Sequence, residues 1–188
     1  GNMLGYVSGS AATLKLKIVD YPGEWLLDLP LLSQSYAEWS GIMLALWRRG
    51  VRADIARDFL GFAGDHPASE TSSEAVAKQA HDLYRALLLT ARDKHGLSYL
   101  QPGRFVCPGS LGDVPYLWFA PLDVAEDRIV AGSLGALMEE RFEVYKKEVV
   151  AKFYESYFRN YGRQIVLVDV LGALLGGRWH GRAFAGGA

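Results

Sequence analysis

Asp20 and Gly23 are separated by Tyr21 and Pro22, and Glu24 follows at once. An acid and a glycine at this D-x-x-G spacing can meet around one phosphate group. The Asp20 carboxylate would hold magnesium, most simply through water, because magnesium gives up its waters reluctantly. Gly23 has no side chain, so its backbone N–H could approach the terminal phosphate of a nucleotide. Glu24 stands where a general base could orient an attacking water. A carboxylate beside a phosphate also repels it, so a side chain turned away is the competing expectation. The plain alternative for the whole motif is a solvated turn acid with a turn glycine.

The elements that must position these residues follow from periodicity. Residues 13–19 alternate, with Leu14, Leu16 and Ile18 on one side and Thr13, Lys15 and Lys17 on the other, as in a half-buried strand. Residues 163–171, RQIVLVDVL, are apolar on both faces and suit a central parallel strand ending in Asp169. Asp169 is expected as a structural acid. Ligands of open α/β sheets sit beyond the carboxyl ends of strands, where Asp20 would lie.

Between the two runs the period becomes helical. Leu32, Tyr36, Trp39, Met43 and Leu46 predict a helix over 31–49, stopped by Gly50. Asp28 before Pro30 reads as the start of that helix. A shorter helix is expected around 53–60. Thr71-Ser72-Ser73-Glu74 is a capping-box pattern before a helix closed by Lys94, His95 and Gly96. Four prolines within 97–122 predict an ordered loop or short β segments. Ser133 is placed to cap a long helix reaching about residue 159, with Gly162 beyond it. The last residues are rich in glycine and are expected to fray.

The totals exclude several chemistries. The chain has 188 residues, half of them hydrophobic, with 20 basic and 21 acidic side chains. A net charge of −1 gives no electrostatic basis for nucleic-acid binding. Cys107 is the sole cysteine, which rules out an intrachain disulfide and fits a reducing, cytoplasmic setting. It is expected to be inert. Trp25 is expected as a hydrophobic anchor. No apolar run is long enough for a membrane span. His81 has Arg85 one turn on, so no helical metal pair forms. No G-x-x-x-x-G-K-[ST] phosphate cradle and no [NT]-K-x-D base-reading motif occurs.

The stretch IVDYPGEWLLDLPLL, the following SQSYAEWS, and YGRQIVLVDVLGALLGG resemble the YcjX-like family of bacterial P-loop proteins. The D-Y-P-G-E-W-L-L-D-L-P string is long and rare, and the segments stand in the family's order. The resemblance implies an α/β fold: a partial Ras-like P-loop sheet with a large α-helical insertion. Residues 1–49 and 162–177 would belong to the nucleotide-binding core, 50–161 would be the insertion, and 178–188 a glycine-rich tail. It further implies binding of GTP or ATP with Mg2+. Asp20 would be the magnesium acid, Gly23 would meet the terminal phosphate, and Glu24 is the candidate catalytic residue. Family members are longer, with the Walker A loop before this segment and the base-reading motif after it, so the chain is expected to be the central part of such a protein. The expected function is a nucleoside-triphosphatase, with a protein partner docking on the helical insertion. The rival is a non-catalytic helical interaction module. A weaker third option is a hydrolase using Asp20 and Glu24 as paired carboxylates.

Overall fold

A computed structural model describes residues 21–124 and 129–159. The two runs expected as strands, Asp20, Asp169 and the glycine-rich tail all lie outside the described residues. Among the described residues every regular element is helical, which corrects the expectation of a Ras-like α/β sheet. The nearest approach to a sheet is one isolated antiparallel bridge between Thr71 and Ser133. The physical reason is the apolar period of this part of the chain. It is helical almost throughout, and the proline-rich stretch that could have held β segments folds otherwise.

The chain opens with a 3₁₀ helix, Gly23–Ser33. Then come α1 Tyr36–Trp47, α2 Val51–Ile55, α3 Arg57–Asp65 and α4 Glu74–His95. A single-turn α5, Gly103–Val106, and a 3₁₀ turn, Pro115–Leu117, follow. The long C-terminal helix begins as α6, Leu134–Tyr145, and continues with π-wound turns at Lys146–Ala151 and Tyr154–Phe158.

Caps decide several boundaries. The helix expected over 31–49 starts only at Tyr36. Ser35 Oγ accepts the Glu38 N–H at 3.2 Å, and the Glu38 carboxylate accepts the Ser35 N–H at 2.7 Å, a complete capping box. Leu32, assigned to the apolar stripe by spacing, is instead exposed on the 3₁₀ helix. Ser133 caps α6 as its position predicts, whereas α4 is capped by Ser73 rather than through a Thr71–Glu74 box, with Glu74 its first residue and paired to Arg141. Gly96 ends α4 at φ 62°, a left-handed conformation that suits glycine.

Aromatic rings fill the core. Trp39 stacks on Phe142 at 5.1 Å between centroids and meets Phe119 and Tyr84 edge-on at 5.6 and 6.3 Å. Residues 100–106 and 117–122 run largely through this core, and the stretch between them returns to the surface. Their backbone carbonyls are satisfied by side chains of the surrounding helices, as buried polar groups require. Tyr36 donates to the Ala120 carbonyl at 2.8 Å, Ser40 to Leu122 at 2.5 Å and Tyr84 to Gln101 at 2.7 Å. Buried Arg141 donates to the Trp118 carbonyl at 3.0 Å and to Glu74 at 2.5 Å. No described helix is long and apolar enough to cross a membrane.

Because Trp39 has no solvent exposure and meets four other rings, those of Tyr36, Tyr84, Phe119 and Phe142, Trp39→Ala should destabilise the fold by about 3–5 kcal/mol. Urea unfolding followed by far-UV circular dichroism measures this. A loss under 1 kcal/mol would contradict the core described.

Candidate functional site

Gly23 is the first residue of the 3₁₀ helix. It is exposed, and no heavy atom lies within 4 Å of the position a Cβ would take. The rest of that helix is fastened to the body of the protein. Trp25 donates its indole N–H to the Cys107 carbonyl at 2.8 Å. The Arg104 guanidinium lies over one face of its ring, and Phe153 meets it edge-on at 5.6 Å. Tyr21 meets the same Phe153 ring at 5.2 Å. The Gln101 side-chain amide donates to the Leu27 carbonyl. Trp25 is thus the anchor its sequence context suggests.

Asp28, midway along the helix, is a second fastening, and it corrects the reading of this acid as a helix start. Its side chain is buried inside the 3₁₀ helix, with 2% exposure. One carboxylate oxygen accepts the Gly103 N–H at 2.7 Å. The other accepts the Arg104 N–H at 3.3 Å and the Tyr145 hydroxyl at 2.5 Å. Burial pushes its pKa up to about 6, although the Tyr145 hydroxyl and the two amides pull the other way. Desolvation outweighs three donors here, as it does for many enclosed carboxylates.

Gly103 cannot carry a side chain. A Cβ there would sit 1.9 Å from the Glu24 carbonyl oxygen. The two strands of chain touch backbone to backbone, which is what brings the Gly103 N–H within reach of Asp28. Single-turn α5 is held at both ends by charge. Asp28 accepts its first amides, while Arg85 donates to the Phe105 carbonyl at 3.1 Å and Arg92 to the Val106 carbonyl at 3.2 Å. An acid at the amino end and cations at the carboxyl end is the arrangement that orphan helix-end groups favour.

Glu24 has its backbone against Gly103, and its side chain lies near the Cys107 thiol. Burial first, and then Glu24, raise the thiol pKa, so Cys107 stays protonated at neutral pH despite Arg92 at 3.6 Å from its sulfur. His81 lines a cavity of about 310 Å³ with Lys78, Asp82, Arg85, Arg104 and Asp113. Burial pushes its pKa down to about 4, which keeps the ring neutral. Among the described residues no three His, Cys, Asp or Glu side chains are grouped to hold a metal. The candidate residues named from sequence therefore divide. Gly23 and Glu24 stand at the head of the 3₁₀ helix, and Asp20 falls outside the described residues. Asp28, Gly103, Arg104 and Tyr145 were not singled out by spacing. The available signal was Asp28 itself, a lone acid in the run LLDLPLL, which must find donors if that run is buried.

Two outcomes follow. Asp28 holds its proton more tightly folded than unfolded, so its contribution to stability is full below about pH 4 and is lost as pH rises through about 6. The stability of the parent protein relative to Asp28→Asn should fall by roughly 2 kcal/mol between pH 4 and pH 7, measured by urea unfolding at both pH values. A flat difference would mean the carboxylate is solvated. Gly103→Ala should cost about 2–4 kcal/mol, because backbone must move to make room. An unchanged melting temperature for that variant would place the Glu24 carbonyl elsewhere.

The YcjX-like family, DUF463, is described by a family model that matches residues 2–182. The Ras-like GTPase YcjX of Escherichia coli (strain K12) is 38% identical over 181 residues, a match covering 88% of this chain and 37% of that protein. The Ras-like GTPase YcjX of Shewanella oneidensis is 36% identical over 178 residues, covering 89% of this chain and 36% of that protein. The chain therefore spans little more than a third of the length of these curated relatives. With the family model matched over nearly its whole length and two curated relatives 36–38% identical to it, the chain belongs to the YcjX-like family.

Proposed function

We propose that this chain supplies the phosphate-sensing segment and the helical block of a GTP-binding P-loop NTPase. The observation that carries the reading is the state of Gly23. It heads a fastened helix, yet its own surroundings are open, so its N–H can meet a phosphate without rearranging the core. Kinship with proteins named Ras-like GTPase points to guanine nucleotide as the ligand, with ATP as the competing nucleotide.

In this reading Asp20 acts through water on magnesium, and the Gly23 N–H contacts the terminal phosphoryl group. Bound magnesium would supply charge neutralisation at the transferring phosphate. The described residues do not build a magnesium site of their own, so the roles derived for them are positional. Trp25 and Asp28 hold the helix on which Gly23 stands. Gly23 contributes a donor where negative charge collects as water attacks in line. Glu24 is the candidate base at this position, and its neighbours Cys107 and Arg92 set its surroundings. The helical block is the surface that would report nucleotide state to a protein partner.

The test is a titration of the complete gene product with fluorescent GTP and ATP, with and without magnesium. GTP should bind with magnesium present. Gly23→Val should weaken binding of a non-hydrolysable GTP analogue by about tenfold, or 1.4 kcal/mol, and leave GDP binding near the parent value. Asp20→Ala should remove the magnesium dependence. Failure of the complete protein to bind either nucleotide would sink the reading and favour the helical interaction module.

A further inference from the structure

We propose that Asp28 is a positioning residue that ties the placement of Gly23 to the helical block, so that the 3₁₀ helix and α5 move as one body. The inference rests on the nucleotide reading above and names how that site would be regulated.

The geometry leaves the 3₁₀ helix little freedom. Its five-residue span from Gly23 to Asp28 is roughly 10 Å at the 3₁₀ rise. The far end of that span is bound to two elements distant in sequence, α5 through Gly103 and Arg104, and α6 through Tyr145. Between them, Trp25 is fixed to the Cys107 carbonyl and lies under Arg104. The Glu24 carbonyl fills the space where a Gly103 side chain would be. A displacement of Gly23 towards or away from a phosphate therefore has two routes. It can break the Asp28 bonds and strand a buried carboxylate, which is strongly unfavourable. Otherwise it carries α5 and the Tyr145 end of α6 along, and α5 is bonded to α4 through Arg85 and Arg92. Close-packed elements of this kind shift between discrete arrangements rather than deform smoothly. The second route delivers a change at Gly23 to α4.

The experiment compares variants of the complete protein by affinity for a non-hydrolysable GTP analogue and for GDP, with amide hydrogen exchange over residues 24–33. Tyr145→Phe removes one donor to Asp28 and keeps the ring. It should lower the GTP-analogue to GDP affinity ratio by about fivefold or more and speed exchange over 24–33, because Gly23 touches only the terminal phosphate. Asp28→Asn, which keeps an acceptor for the Gly103 N–H, should fall between the parent and Asp28→Ala. Tyr36→Phe is the matched control. It also loses a buried hydroxyl bond, to Ala120, but should move neither readout. An unchanged ratio in Tyr145→Phe and Asp28→Asn, with both nucleotides still binding, would overturn the tie while leaving the nucleotide reading intact. An equal effect of Tyr36→Phe would reduce it to general destabilisation. Absence of nucleotide binding in the parent protein would remove the reading on which it stands.

Discussion

A carboxylate enclosed in protein must be given donors, and most of the local architecture follows from meeting that need at Asp28. Its donors come from the first amides of a one-turn helix and from a tyrosine 117 residues away in sequence. For the amides to arrive, α5 must begin at residue 103 and approach the 3₁₀ helix backbone to backbone. That approach requires glycine at 103. A four-residue helix has too few internal bonds to persist alone. Its free carbonyls are taken by Arg85 and Arg92 from α4. One buried acid thus makes demands on three separate elements, and each is met by a specific side chain or by the absence of one.

The remainder of the helical block is assembled on the same principle. Residues 97–122 have little regular structure to satisfy their backbone, yet much of the stretch is buried. Hydroxyl, indole and guanidinium groups from the helices supply what a sheet ladder would supply elsewhere. Tyr36, Ser40, Tyr84 and Arg141 each reach a carbonyl of this stretch. Net gains from single bonds of this type are modest, near 1 kcal/mol. Their larger effect is specificity, because each carbonyl left without its donor would be a buried unpaired group. The stretch therefore has one well-defined path through the core.

Local signals were legible in the sequence and long-range ones were not. Ser133 and Gly96 mark helix ends by chemistry within a few residues, and α6 begins and α4 ends where they predict, while α4 is capped two residues beyond the position that the Thr71–Glu74 box pattern implied. The start of α1 was also written locally, in Ser35 and Glu38, but the apolar spacing from Leu32 masked it. The π-wound turns after Tyr145 interrupt a stripe that spacing alone reads as one regular helix. Asp28 could not be assigned by spacing, since its partners at 103, 104 and 145 become neighbours only in the fold. The expected sheet met a different obstacle. Both of its strands fall outside the described residues, and what is described between them is helical. The same division applies to the candidate site, where Gly23 and Glu24 are placed and Asp20 is not.

The string D-Y-P-G-E-W-L-L-D-L-P has an internal polarity that a plain turn would not need. Its one glycine stands exposed in open space, while its second aspartate, Asp28, is among the most enclosed polar groups described. Trp25, between them, presents one ring to both regimes, with a guanidinium over its face and its N–H on a buried carbonyl. A solvated turn would leave Asp28 free and would gain nothing from a glycine at 103. A segment with a free head and a fastened foot can instead register a small displacement at one end and transmit it at the other. Such transmission requires stiffness along the segment. The packing between Glu24 and Gly103 provides it, because the backbones already touch and no further compression is available.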